Sequence, residues 1–369
     1  MSSQLILAGR PYLNFVNSLK SSVTKNLYVF FLKKYMEFCN VTDVEQLLLD
    51  DVKLIESQII DWLVSTREMS YASRSLRLAA LMAFYSINDL NLNRRKLGRF
   101  LGEESKIHKD RPYTLEEIHH MVDVADERTK VIILLLASTG MRIGGLVGLK
   151  LSHLQKIESY QLYKVTVYEN SRDEYICFTT HECAAAIDTY LKYRQRCGEK
   201  LAYEDNKGIW LPVTTPLVRK EFNRDDPFQA AHPKPITTAK CFDFLIQGIL
   251  KKTGIITPYP SIAGTKTRPR HHVARSNGFR KMVNTTMVKA HVEPLIKEML
   301  LGHHTGLEEN YYRPEEEDLL NEYLKCVDYL TINNEFRLQR EVQTLKQEVT
   351  RFDKMEKQIQ ELNRRLGLV

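Results

Sequence analysis

Three short stretches of this 369-residue chain carry side chains able to handle a phosphate. Ser138-Thr-Gly-Met-Arg142 places an arginine at a helix start just after a glycine stop, and Gly278-Phe-Arg280-Lys281 supplies a second. Leu300-Leu-Gly-His303-His304 is followed nine residues after His303 by Tyr312, in Tyr311-Tyr-Arg-Pro. Two guanidiniums can grip the non-bridging oxygens of one phosphate and offset charge that develops in a transition state. A tyrosine hydroxyl can attack phosphorus and conserve the bond energy in a covalent phosphotyrosine, which calls for no metal or other cofactor. An imidazole nearby can hydrogen-bond the phosphate or move a proton. A lone arginine is more often a surface or ion-pair residue, so the weight lies in the ordered combination. Positive charge is concentrated in the same region. Between Ser261 and Lys281 stand six Lys or Arg (Lys266, Arg268, Arg270, Arg275, Arg280, Lys281) and no acid, whereas residues 301–330 hold two bases and eight acids. A basic segment of this kind can meet nucleic-acid phosphates.

In this order and spacing the motifs resemble the tyrosine recombinase (phage integrase) family, and their wording is most like archaeal integrases. The resemblance covers roughly residues 10–330. It implies a site-specific DNA recombinase that cuts and rejoins double-stranded DNA through a covalent 3′-phosphotyrosine, with Arg142 and Arg280 as phosphate clamp, His303 on the phosphate and Tyr312 as nucleophile. It also implies a homo-oligomer, a tetramer on paired sites, in the cytoplasm and nucleoid of an archaeal cell or its virus or mobile element. No membrane partner and no small-molecule substrate are implied. Three positions depart from the family pattern. Asn277 stands where the His of a His-x-x-Arg belongs, and it can hydrogen-bond but not titrate. Arg172 stands in the hairpin turn Glu169-Asn-Ser-Arg-Asp173 where a lysine general acid is expected, and an always-charged guanidinium is a poor proton donor. Gly145 replaces an acid three residues after Arg142. Lys164 or Lys266 could substitute for the hairpin lysine. A recombinase-derived DNA-binding protein with weak or no strand transfer is therefore the second reading.

The elements that must position these residues read as mainly α with a small β-sheet or hairpin. Residues 1–102 are expected to form a helical DNA-binding (core-binding) domain. Its helices are suggested by Leu27, Phe31, Tyr35 and Phe38, by Ile55, Ile59, Trp62 and Leu63, and by Leu76, Ala79, Ala80, Ala83 and Phe84 at helical spacing, with Thr42 as an N-cap. Arg74 and Arg77 join Lys266, Arg268, Arg270, Arg275 and Lys281 as candidate DNA contacts. Residues 103–112 read as a polar linker ending at Pro112. An α+β catalytic domain is expected over 113–332. It opens with the capping box Thr114-Leu-Glu-Glu117, continues through the apolar run Val131–Ala137 to a stop at Gly140, and includes a hairpin over Tyr163–Thr180. In residues 333–369, Val342, Leu345, Val349 and Phe352, then Met355, Ile359, Leu362 and Leu366, resemble a short coiled coil with a three-residue slip.

Composition limits the alternatives. The chain is 43% hydrophobic and 27% charged, with a net charge of +7, so it has enough apolar content for packed domains rather than disorder. No apolar run approaches 18 residues. Six cysteines without a Cys-x-x-Cys pair argue against a zinc-ribbon or disulfide framework. His304, His119 and His120, and Tyr175, Tyr190 and Tyr193, are expected to be structural or surface residues.

Overall fold

The computed structural model describes residues 5–103, 110–255, 272–306 and 311–333, together with Glu335, Leu338, Val342 and Met355. The fold is mainly α-helical with two small antiparallel sheets. Its described residues form two compact units, one up to residue 103 and one from Asp110 onward.

The first unit holds α1 (Gly9–Ser18), α2 (Ser22–Phe38), α3 (Val52–Ser65), α4 (Tyr71–Ile87) and α5 (Arg94–Gly98). Ser21, Asp51, Ser70 and Asn93 start α2 to α5, their side-chain oxygens accepting from first-turn amides that have no partner inside the helix. The apolar faces meet in one core. Phe15 stands edge-on to Phe84 at 5.5 Å, and Tyr35 packs on Trp62 at 5.2 Å. Ile55, Ile59, Trp62 and Leu63 are buried as their spacing requires. On α4 the stripe is rotated from the expected one: Leu78, Leu81, Phe84 and Tyr85 are buried, while Leu76 is exposed. Phe38 at the end of α2 is likewise exposed. Thr42 is not a cap; Asp43 caps the 3-10 turn Val44–Leu48, and Asp51 caps α3.

The second unit is built around α7 (Glu127–Thr139), in which Val131 through Thr139 are all buried. A helix apolar on every side must be surrounded, and α7 is packed by α6 (Leu115–Val124), α8 (His181–Arg196), α10 (Ala239–Thr253) and α11 (Arg275–Lys289). The Thr114–Glu117 capping box starts α6 as expected. The expected hairpin is two strands of a three-stranded antiparallel sheet, β1 (Leu154–Ile157), β2 (Leu162–Val167) and β3 (Tyr175–Phe178), with Val165 opposite both Leu154 and Cys177. A second pair, β4 (Ala202–Glu204) and β5 (Ile209–Leu211), has no counterpart in the sequence reading. The remaining helices are α9 (Pro227–Ala231), α12 (Pro294–Leu300), α13 (Glu316–Leu324) and α14 (Val327–Leu330). Beyond α14 the amides of Ile332 and Asn333 donate to the buried carboxylate of Glu182 on α8, fixing where the chain leaves the core. Most of the expected coiled coil over 333–369, and residues 104–109 of the expected linker, lie outside the described residues. None of the described helices is long and apolar enough to cross a membrane.

Candidate active site

Two glycine-terminated helices set the site. Helix α7 ends at Gly140 (φ 63°) and α12 is followed by Gly302 (φ 63°), both in the left-handed region. Space demands glycine as well. A Cβ on Gly302 would fall 2.4 Å from the Tyr175 ring, and one on Gly140 would fall 2.9 Å from a Leu301 methyl. The chain turns sharply at each stop, exposing main-chain carbonyls that the two arginines then hold. Arg142, extended at the start of the 3-10 turn Ile143–Leu146, donates from Nη1 to the Gly302 carbonyl at 2.8 Å. Arg280, on the second turn of α11, donates from Nη1 to the Gly140 carbonyl (2.8 Å) and from Nη2 to the Leu301 carbonyl (2.6 Å). Arg280 Nη2 also lies 2.6 Å from His303 Nε2. The structure thus brings together Arg142, Arg280 and His303, residues separated by 138 and 23 positions.

Neither arginine has a carboxylate ion-pair partner among the described residues, although surface arginines elsewhere in the unit do. Burial first, and then the charge of Arg142, disfavour the Arg280 guanidinium. Two like charges meeting over a partly desolvated floor are stabilised by an anion placed between them. Arg142 is exposed and keeps most of its fork for such a ligand. Among the described residues no group of His, Cys, Asp and Glu is arranged to hold a metal ion.

The remaining predicted site residues are placed differently. Arg172 is exposed in the turn between β2 and β3. Its neighbour Asp173 bonds His304 Nε2 at 2.9 Å, which ties the turn to the segment carrying His303. Asn277 is exposed on the first turn of α11. Tyr312 is exposed beyond the described part of the 303–306 segment, and no hydrogen bond joins it to Arg142, Arg280 or His303 among the described residues. Gly145 leaves no room for an acid at its position, since even a Cβ would fall 2.9 Å from a Val167 methyl. Lys164 on β2 pairs with Glu316 at 2.9 Å, so its ammonium is already engaged. Glu298 was not singled out by the sequence, yet its carboxylate bonds His303 Nδ1. A carboxylate five residues before a histidine, across a helix end, was the available signal.

Of the candidate DNA contacts, Arg74 is corrected by its burial, and Arg77 is partly covered. Arg74 is 5% exposed, and its guanidinium donates to the main-chain carbonyls of Leu63, Phe100 and Leu101. Arg77 is half-buried with its guanidinium over the rings of Phe31 (5.6 Å) and Trp62 (5.3 Å). Arg74 ties the first unit together through the carbonyls it bonds, and Arg77 through the rings its guanidinium covers. Arg275 pairs with Asp243 at 2.7 Å and Lys281 with Asp110 at 2.5 Å, contacts that a phosphate would have to replace. Lys266, Arg268 and Arg270 lie outside the described residues.

The chain is 26% identical over 212 residues to tyrosine recombinase XerC of Leptospira interrogans, covering 53% of this chain and 65% of that protein. It is 27% identical over 150 residues to tyrosine recombinase XerA of Pyrococcus horikoshii, 39% of this chain and 47% of that one. This chain is a relative of the tyrosine recombinases. It spans less than two thirds of the length of these relatives. No protein-family model matches it. Among solved structures, a crystal structure of XerA recombinase overlaps 85% of this chain and 96% of its own, at 18% identity and a TM-score of 0.37. A lambda integrase dimer bound to a COC′ core site overlaps 82% and 77%, at 13% identity and a TM-score of 0.49. Scores this low leave the kinship with the recombinases to the sequence relatives.

Proposed function

We propose that the chain is a site-specific DNA recombinase that cleaves and rejoins double-stranded DNA through a covalent 3′-phosphotyrosine at Tyr312. The observation that carries this reading is the convergence of Arg142, Arg280 and His303 on the Leu301–His303 segment, with two guanidiniums that form no ion pair with a carboxylate among the described residues. The scissile phosphate is the anion this arrangement suits. The arginines hold its non-bridging oxygens and stabilise the charge of the pentavalent transition state. Tyr312 forms the new O–P bond as the bond to the 5′ oxygen breaks. Arg172, carried in by a turn tethered through Asp173 to His304, stabilises the departing oxygen without donating a proton. The first unit acts as the core-binding DNA-contact domain, the second as the catalytic domain, and the tail over 333–369 joins protomers into a tetramer on paired sites. The basic stretch from Lys266 through Arg270, with Arg275 and Lys281, meets the DNA backbone. The cell compartment is the cytoplasm and nucleoid of an archaeon or its mobile element.

A second reading, DNA binding with weak or no strand transfer, is favoured by Asn277, an exposed residue unable to titrate where the family resemblance calls for histidine. A nicked suicide substrate separates the two. Wild-type protein is expected to form a covalent complex that Tyr312→Phe abolishes and Tyr311→Phe leaves intact. No covalent complex from wild-type protein on its own target would overturn the recombinase reading.

A further inference from the structure

His303 is held twice by one residue. Its main-chain amide donates to the Glu298 carbonyl at 2.9 Å, and its ring Nδ1 bonds the Glu298 carboxylate. The other carboxylate oxygen of Glu298 takes Lys297 Nζ at 2.9 Å. Burial alone would raise the Glu298 acid, but the hydrogen bonds from Lys297 and His303 outweigh it and hold the group below the usual carboxylate range. An ionised carboxylate can only accept, so the ring proton belongs on Nδ1. In the neutral ring Nε2 is then a bare acceptor. That fits its second contact, since Arg280 Nη2 can only donate. Both neighbours demand the same tautomer.

We propose that Glu298 is a positioning residue for His303: it keeps the ring proton on Nδ1 and turns Nε2 into the clamp as a proton acceptor. The proposal rests on the recombinase reading above and deepens it. Asn277 cannot take a proton, so among the described residues in contact with the clamp arginines His303 is the one imidazole able to do so. When a phosphate oxygen takes over the Arg280 donor, Nε2 is released. The Tyr312 hydroxyl proton passes to Nε2, the phenolic oxygen forms the bond to phosphorus, and the bond from phosphorus to the 5′ oxygen breaks. That oxygen takes its proton from water, and Glu298 stabilises the imidazolium left on His303.

The test has two independent arms on the full-length chain. Nitrogen-15 NMR of histidine-labelled protein without DNA, with the His303 signals assigned by their loss in His303→Asn, reads the tautomer directly. The expected wild-type pattern is a protonated Nδ1 and an unprotonated Nε2, and Glu298→Ala is expected to move the proton toward Nε2. The second arm is the single-turnover cleavage rate on a nicked substrate. Glu298→Ala is expected to slow it by at least ~10-fold, part of the usual contribution of a placed base, at unchanged DNA affinity, and Glu298→Asp to recover part of the loss. A wild-type ring protonated on Nε2 would overturn the proposal even if Glu298 variants fail to fold. So would a Glu298→Ala rate equal to wild type. Loss of wild-type cleavage with the Nδ1–H tautomer present would overturn the recombinase reading and, with it, the proton-accepting role, while leaving the tautomer assignment standing.

Discussion

Four arginines of this chain show how surroundings set one residue type to different uses. Arg142 and Arg280 keep guanidinium edges without a carboxylate and share a site. Arg74 and Arg77 sit in equally basic sequence, yet the first is closed off among carbonyls and the second among rings. Arg74→Ala takes their guanidinium donor from the carbonyls of Phe100 and Leu101 and leaves that of Leu63 to Thr66 Oγ1 alone. It is expected to lower stability by roughly 2–4 kcal/mol, since an orphaned buried acceptor costs about 1–3 kcal/mol. The slope of DNA affinity with salt should be unchanged, as no phosphate contact is lost. Urea unfolding and a salt titration check the two halves, and a shallower salt slope would return Arg74 to the DNA surface. Arg280→Lys tests the opposite class. A lysine can reach one carbonyl but cannot replace a planar fork that bonds Gly140, Leu301 and His303 together. Cleavage is expected to fall by about 10²–10³ with a smaller change in melting temperature.

At the scale of elements, what the sequence made legible is what local chemistry dictates. The run Val131–Ala137, its glycine stop and the Thr114–Glu117 box are read from neighbours a few residues apart, and the structure has them. The rotated face of α4 was not legible because it is decided by partners distant in sequence; β4 and β5 are close in sequence, but at three residues each they are too short to show an alternating pattern. Leu76 fits the α4 period as well as Leu78 does, and only packing against the other helices of the unit separates them. In the site, the types and order of Arg142, Arg280 and His303 were legible, but Glu298 was not, since its role depends on a helix ending between it and His303. The glycine turns carry the same lesson and a test. Gly302→Ala meets left-handed strain of about 1–2 kcal/mol and a Cβ 2.4 Å from the Tyr175 ring, which displaces the carbonyl that Arg142 holds. It is expected to lower both melting temperature and cleavage. Gly306→Ala (φ 75°) meets nothing near its Cβ among the described residues and is expected to show the strain alone. Equal effects of the two on cleavage would mean that the Arg142 contact is unimportant. In the first unit, the buried Glu56 accepts from the Asn93 amide and Lys96 Nζ (both 2.7 Å), joining α3 to α5. The Lys96 hydrogen bond first of all, against the effect of burial, holds its acid below the usual range. A depressed folded value means that its stabilisation is present above the ordinary glutamate range and is lost as pH falls through the folded one. Hydrogen-exchange protection of α3 and α5 should therefore decline on acidification below about pH 4.3, and Glu56→Gln should flatten that decline.

At the scale of the whole chain, the net charge of +7 conceals a division that the fold partly explains. Several bases that made the sequence look sticky are engaged internally: Arg74 with carbonyls, Lys164 with Glu316, Arg275 with Asp243 and Lys281 with Asp110. The charge left for a polyanion is thus narrower than the composition suggests, and Arg142 and Arg280 are a larger part of it. The acids are also ordered. Glu315 to Asp318 form and cap the start of α13, where negative charge favours the helix dipole. The C-terminal segment extends the division. Ile332 and Asn333 are tied to Glu182, so the chain leaves the core at a defined point, and no residue beyond Asn333 belongs to the described core of the second unit. In that segment the apolar positions at Val342, Leu345, Val349 and Phe352 have the three-and-four spacing of a helix that buries its stripe against another helix. Truncation after Asn333 keeps the Glu182 anchor and is expected to leave the melting temperature of the second unit within a few degrees of the full chain. Sedimentation on DNA with paired sites should fall to a smaller species, and cleavage of a single nicked site should persist. If instead the truncated chain assembles as the full one does while its melting temperature drops sharply, the tail packs on its own protomer rather than between protomers.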